Sequence, residues 1–210
     1  MERKKRYAVA MIRSLALAAF ALTFAAPAQA APPARNPRVA LKTSVGTIVV
    51  EVDTRHAPIT GANFLKYVDL KKFDGTTFYR SARAKNAPKQ GFIQGGIRHS
   101  FNRMLPPIAH EPTTKTGIRH LDGTISLARD KPGTAMGDFF IMVGSAPSLD
   151  AHPGAKGDNL GYAAFGNIVG GMDVVHRILA LPTVQQIGSG AMKNQMLTKP
   201  ITIVSAARVK

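Results

Sequence analysis

The chain has 210 residues, of which 45% are hydrophobic and 19% charged, a balance that favours one globular domain and excludes a disordered chain. It contains no cysteine, which excludes disulfides and lipid attachment through an N-terminal cysteine. The net charge of +16 could attract nucleic acid, anionic lipid or acidic polypeptides, but no nucleic-acid-binding motif is present. We therefore expect an ordinary solvated basic surface and no specific nucleic-acid partner.

Residues 1–30 have the pattern of a secretory signal peptide. A basic head precedes an apolar run over 15–26, and Ala28-Gln29-Ala30 supplies a small-x-small cleavage site. The alternative is an uncleaved anchor, which needs about 20 consecutive apolar residues, and Arg13 interrupts any longer run. We expect cleavage after Ala30 and a periplasmic or secreted protein that does not span a membrane. The mature chain carries a charge of +12.

The first part of the mature chain combines a hairpin with a helix. After a loose Pro-rich lead-in over 31–37, segments 39–42 and 47–52 have the two-residue period of strands, joined near Gly46. A helix is predicted to open at 57–60 with Thr60 as its cap, because Phe64 and Val68 then lie on one face. The turn signal at 73–75 ends this helix.

The remaining chain predicts short strands and one further helix. The strands cover 77–80, 91–94, 124–129, 138–143, 163–166 and 201–204, and the helix runs over 172–181 until Pro182 stops it. Many short strands with only two helices favour a closed β-barrel or a sandwich, within one domain over 38–210.

Several catalytic motifs are missing. His110-Glu111-Pro112 is not a zinc-binding His-Glu-x-x-His motif, no serine lies in a Gly-x-Ser-x-Gly elbow, and no glycine-rich nucleotide loop occurs. We therefore expect no metal and no cofactor, which favours an activity that needs neither.

Four segments resemble the cyclophilin family, in that family's order: Asn63-Phe64, Phe78-Tyr79-Arg80, Gln94-Gly95-Gly96 and Phe139-Phe140-Ile141. The segments 123–129 and 165–172 are also similar to the family, and the run over 161–166 resembles its bacterial exported branch. The resemblance implies a mainly β fold, a closed eight-stranded antiparallel barrel capped by two α-helices. It also implies peptidyl-prolyl cis/trans isomerase activity, with proline-containing polypeptides as clients, and assistance of protein folding. We further expect a monomer.

The resemblance also implies the site residues. Arg80 is the expected catalytic donor, because a guanidinium donates in a plane and keeps its charge. Phe140 would form the floor of the proline pocket, with Leu149 and Tyr162 as walls. Gln94 would hold the substrate backbone. The peptide groove would be lined by Ala128 and Arg129.

Two departures from the family pattern affect the expected site. Asp138 stands where the family usually has glutamine, and a carboxylate only accepts hydrogen bonds, so Asp138 could instead pair with Arg80. The segment between Arg80 and Gln94 is long, and a basic loop is expected over 81–90. Phe92 is a candidate for the second pocket phenylalanine, although a strict count back from Gln94 places Gly91 there.

Two alternatives to an active isomerase stay open at the level of sequence. One is a binding module or chaperone of the same fold, with catalysis weakened by Asp138. The other is an exported barrel that carries a small ligand, which would require an open apolar cavity.

Overall fold

Eight antiparallel strands form a closed barrel in the computed structural model, which describes residues 35–98 and 100–209. The predicted signal peptide lies outside these residues. The barrel order is β1-β2-β7-β5-β6-β4-β3-β8, and β8 pairs with β1 to close it. The strands are β1 (Arg38–Thr43), β2 (Gly46–Val52), β3 (Thr76–Ala84), β4 (Ala87–Gly96), β5 (Thr124–Leu127), β6 (Phe139–Val143), β7 (Ala163–Gly170) and β8 (Met196–Val209). The prediction of a closed eight-stranded barrel is confirmed.

Within the described residues, three α-helices accompany the barrel: α1 (Pro58–Asp69), α2 (Thr113–Thr116) and α3 (Met172–Ala180). The sequence predicts α1 and α3, and the single-turn α2 is additional. The prediction that Thr60 caps α1 is wrong, because Pro58 starts the helix earlier and Thr60 lies inside its first turn. The backbone N–H and the hydroxyl of Thr60 donate to Glu111 Oε2 at 2.7 and 2.8 Å, so a buried carboxylate from another segment satisfies this helix end.

Aromatic side chains fill the interior at one end of the barrel. Phe64 of α1 contacts the rings of Phe73, Phe139 and Phe165, with centroid separations of 5.3, 5.5 and 5.0 Å. All four side chains are fully buried. A core occupied in this way removes the basis of the ligand-carrier alternative.

Residues 81–90 extend the β3–β4 hairpin, so the prediction of a loop there is wrong. Only Lys85 and Asn86 form the turn, and residues 88–90 bulge out of β4 because Arg83 pairs with Gly91 and Ala84 with Ala87. Gly91 has φ +140°, and a Cβ there would lie 1.9 Å from the carbonyl oxygen of Ala82. Only glycine permits this close approach of the two strands.

Within the described ranges 35–98 and 100–209, no helix is long and apolar enough to cross a membrane.

Candidate active site

A row of side chains crosses four neighbouring strands on the outer face of the barrel. Arg80 of β3 pairs with Gln94 of β4, Gln94 pairs with Phe140 of β6, and Phe140 pairs with Ser126 of β5. Directly paired residues project from the same face of a sheet. The register therefore brings Arg80, Gln94 and Phe140 together, although they are spread over 61 positions of the sequence.

Two glutamine side chains hold the guanidinium of Arg80. Gln195 Oε1 accepts from Arg80 Nε at 2.8 Å and from Nη2 at 2.6 Å, and Gln94 Oε1 accepts from Nη1 at 2.8 Å. The guanidinium carbon lies 4.9 Å from the centroid of the Phe92 ring. Burial lowers the pKa of Arg80, and the nearby Tyr79 and Tyr162 act in the opposite direction. These contacts with the two amides and the aromatic face orient the donor.

The backbone also keeps Gln195 beside Arg80. The N–H of Ser81 donates to the carbonyl oxygen of Gln195 at 2.9 Å, immediately before β8 begins. The preceding turn is held by Asn194, whose Oδ1 accepts from the N–H of Gln186 at 2.6 Å. Hydrogen bonds of its own backbone and of the preceding turn therefore hold the amide acceptor in place.

Tyr79 links the arginine to Asp138 through a bulge in β3. The pairing register shifts between Phe78 and Arg80 on both sides of the strand, which leaves Tyr79 as an extra residue. Its hydroxyl donates to Asp138 Oδ1 at 3.0 Å and accepts from Gln94 Nε2 at 2.9 Å. Burial, followed by the charge of Asp138, raises the pKa of Tyr79, so the phenol stays protonated and donates.

Asp138 anchors the end of this chain of bonds. Besides the tyrosine hydroxyl, its Oδ1 accepts the backbone N–H of Arg98 at 3.0 Å, and the Arg98 guanidinium carbon lies 5.3 Å from the Tyr79 ring centroid. A carboxylate suits this place because both groups donate to it.

Three aromatic rings cluster next to the arginine, at the position expected for the proline pocket. Phe140 lies 5.2 Å from Phe92 in a tilted arrangement and 5.4 Å from Tyr162 edge to face, measured between ring centroids. The N–H of Tyr162 donates to the carbonyl oxygen of Leu149 at 3.0 Å, which brings Leu149 to the same wall. The cluster supplies the apolar and aromatic side chains that the predicted proline pocket requires.

Arg129 supports the pocket wall. Its side chain is 3% exposed and pairs with Asp158, and its guanidinium also donates to the carbonyl oxygen of Gly161. The guanidinium carbon lies 5.1 Å from the Tyr162 ring centroid. The Arg129 side chain therefore binds residues of the 158–162 segment and holds them together.

A buried hydrogen-bonded chain lies beside Phe140. The His120 ring stacks on Phe140 with centroids 5.8 Å apart, Nδ1 lies 2.7 Å from Asp150 Oδ1, and Nε2 lies 3.0 Å from Ser126 Oγ. Burial lowers the pKa of His120 against the opposing effect of Asp150. A neutral imidazole that donates through Nδ1 and accepts from the serine satisfies all three groups. The His120 side chain is fully buried, so this triad is closed to substrate.

The structure thus gathers most of the predicted site residues around Arg80 and Phe140. Ala128 is half-buried at the rim, and its N–H donates to the carbonyl oxygen of Asp138 at 2.9 Å. Gln195 and the buried triad are missing from the sequence prediction. Gln195 lies 115 positions from Arg80 with no motif around it, so no local pattern could have indicated it.

The site thus consists of an oriented arginine beside an aromatic cluster on a closed barrel whose interior is filled by side chains. The family model described as cyclophilin-type peptidyl-prolyl cis-trans isomerase/CLD matches residues 38–208. The chain therefore belongs to the cyclophilin-type peptidyl-prolyl cis-trans isomerase family, and it is an isomerase.

Similar proteins agree with this assignment. The chain is 34% identical to peptidyl-prolyl cis-trans isomerase A of Dickeya dadantii, an alignment that covers 98% of each chain. It is 31% identical to a peptidyl-prolyl cis-trans isomerase of Acinetobacter baylyi, covering 81% of this chain and 84% of that one. A Cryptosporidium parvum cyclophilin solved in the presence of the dipeptide Ala-Pro has the same fold, with a TM-score of 0.64 and 19% identity, covering 82% and 99% of the two chains.

Proposed function

We propose that this isomerase acts on X-Pro bonds of exported polypeptides, assists their folding, and uses Arg80 as its catalytic donor. The observation that supports this most is the position of the guanidinium. Two neutral amide oxygens hold it, at 2.6–2.8 Å, directly beside a three-ring apolar pocket.

The chemistry requires only preferential binding of the twisted amide. Resonance gives rotation about a peptide bond a barrier of about 18–20 kcal/mol, and uncatalysed X-Pro exchange takes tens of seconds or more. At the top of the barrier the prolyl nitrogen has a localised lone pair that accepts a hydrogen bond, whereas the planar ground state does not. A fixed donor therefore stabilises the transition state selectively.

The surrounding residues would each make a different contact with the substrate or with Arg80. The prolyl ring would lie against Phe140 between Phe92 and Tyr162, so that Arg80 reaches the nitrogen from the side of Phe92. Gln94 already bonds Arg80 through its oxygen and Tyr79 through its nitrogen. We therefore assign it mainly to the orientation of the donor, and its contact with the substrate backbone stays a prediction.

The first test is the cis-to-trans exchange of a short Ala-Pro peptide with the wild-type protein, Arg80→Ala and the control Arg38→Ala. Arg38 is an exposed residue of β1, paired with Glu51. We expect Arg80→Ala to lose about 10²–10³-fold in kcat/KM, as for removal of one transition-state donor, and Arg38→Ala to retain activity. A folded wild-type protein without activity would instead favour the binding-module alternative.

The exported location rests on the pattern of residues 1–30 and needs its own test. We expect the full chain, expressed in a Gram-negative host, to be recovered from the periplasm with Ala31 as its first residue. Recovery from the cytoplasm at full-length mass would contradict this part of the proposal.

A further inference from the structure

The β3–β4 hairpin carries an uncompensated positive charge next to the site. Residues 75–109 contain six Lys and Arg and no Asp or Glu. Three of these cations, Arg83, Lys85 and Lys89, lie in residues 83–90, which we call the basic tip, and all three are exposed. The local charge therefore has one sign over the whole hairpin.

The cations of the basic tip differ in their partners from three exposed arginines elsewhere in the described residues. None of the three side chains forms a hydrogen bond or an ion pair with another described residue. Those three arginines each bind a local carboxylate: Arg38 with Glu51, Arg177 with Asp173, and Arg208 with Asp69. The field of the basic tip is thus directed to solvent rather than cancelled within the protein.

The basic tip projects beyond its neighbours and begins close to the pocket. The pairing of β3 with β8 ends at Arg80, and the pairing of β4 with β6 ends at Gly91. Ala82 pairs with Phe92, two pairs beyond Arg80 and Gln94. At about 3.3 Å per residue, Arg83 lies roughly 10 Å and Lys85 roughly 17 Å along the strand from Arg80. An extended peptide seated in the pocket spans this distance with about three to five residues.

The bulge has an anchor on the side of β6. Gln90 lies against Gly144, since a Cβ on that glycine would be 3.0 Å from the Gln90 side chain. Gly144 directly follows β6, which carries Phe140. Lys89 is therefore displayed from a segment tied to the strand that forms the pocket floor.

We propose that the basic tip binds acidic residues that flank the proline of a client polypeptide, so that the enzyme selects acidic X-Pro segments. This inference rests on the proposed function. An unpaired cation loses no internal partner when it binds a carboxylate, and a field of one sign raises the association rate of oppositely charged ligands. Selection by such exposed charges is strong at low ionic strength and weak at high ionic strength.

The experiment compares Ala-Pro peptides of equal length whose flanks contain glutamate, glutamine or lysine. We expect kcat/KM at about 10 mM salt to be about tenfold higher for the glutamate peptide than for the glutamine peptide, and the ratio to approach one at about 1 M salt. The lysine peptide should be the poorest of the three at low salt.

A charge-matched pair of variants assigns the effect to the basic tip. Arg83→Gln/Lys85→Gln/Lys89→Gln should remove the preference for glutamate while leaving turnover of the glutamine peptide unchanged. The control, Arg55→Gln/Lys42→Gln/Lys66→Gln, removes the same charge from exposed residues elsewhere and should keep the preference. A preference that survives in the tip variant, or that falls equally in both variants, would overturn the proposal.

Binding measured apart from turnover separates this inference from the proposed function. If the glutamine peptide is not isomerised at all, the proposed function fails, but anisotropy of a labelled glutamate peptide still reports the basic tip. Binding of that peptide by the wild-type protein and not by the tip variant supports the inference. Tip-dependent binding of a DNA oligonucleotide or of phosphatidylglycerol vesicles, without any preference among the peptides, would contradict it.

Discussion

Two hydrogen-bonded networks flank Phe140, and they are built differently. The front network consists of Arg80, Gln94, Gln195, Tyr79 and Asp138, and it reaches the outer face of the barrel. The back network consists of His120, Asp150 and Ser126, and its histidine side chain is fully buried. The front network orients a charged donor, whereas the back network supports the apolar floor with a neutral ring.

The two networks differ because the front network holds a charged guanidinium and the back network holds a neutral imidazole. The guanidinium of Arg80 donates to two amide oxygens, which help to fix its orientation. The imidazole of His120 stacks within 11° of parallel to Phe140, and a buried ring of this kind is costly to protonate. Changes to the front network should therefore alter turnover, and changes to the back network should alter stability and its pH dependence.

The largest effect is expected where the two networks meet. Phe140→Ala removes a 3% exposed ring that touches Phe92, Tyr162 and His120, so it should lower the free energy of unfolding by about 3–5 kcal/mol and raise KM. Urea unfolding measures the first change. The control Phe101→Ala alters an 87% exposed ring and should shift stability by less than about 0.5 kcal/mol. Equal shifts in the free energy of unfolding of both variants would contradict the packing role assigned to Phe140.

A smaller effect, confined to turnover, is expected for the front network. Gln195→Met removes the acceptor of Arg80 Nε and Nη2 at similar side-chain size. A hydrogen bond to a charged group contributes about 1.5–3 kcal/mol, so we expect kcat to fall at least about tenfold while the dissociation constant of an Ala-Pro peptide changes little. The control is Gln185→Met, at an exposed position. An unchanged kcat would show that Gln195 does not position the arginine.

The smallest effect is a pH dependence in the back network. Because burial lowers the pKa of folded His120, the unfolded chain binds a proton first as the pH falls below about 6.5. Stability should then decrease by at most about 1.4 kcal/mol per pH unit, until the folded pKa is reached. His120→Gln should flatten the wild-type slope between about pH 7 and pH 5 in urea unfolding. Identical slopes for the two proteins would contradict a neutral buried imidazole.

Much of the architecture was predictable because it depends on local periodicity. The two-residue alternation over 47–52 predicts β2, and the three- and four-residue spacing of Met172, Val175 and Leu179 predicts α3. The ends of elements were less predictable. The hairpin continues through 81–90 because Gly91 allows close approach of the strands, an effect that alternation alone does not reveal.

The site was predictable only in part, for a similar reason. Arg80, Gln94 and Phe140 lie in short motifs, and strand pairing places them in one row. Tyr79 contacts Asp138 because a β-bulge interrupts the alternating side-chain directions of β3. Gln195 contacts Arg80 although it is 115 positions away in the sequence. Contacts made by bulges and by closure of the barrel depend on tertiary structure, so no local pattern encodes them.

The most direct test of the account is the substitution Arg80→Lys, assayed for both peptide binding and turnover. Lysine keeps the positive charge but lacks the planar fork that Gln94 and Gln195 orient. We predict that an Ala-Pro peptide binds this variant with nearly unchanged affinity and is isomerised about 10²-fold more slowly. Turnover at the wild-type rate would show that positive charge alone is sufficient, and it would contradict the claim that an oriented guanidinium stabilises the twisted amide.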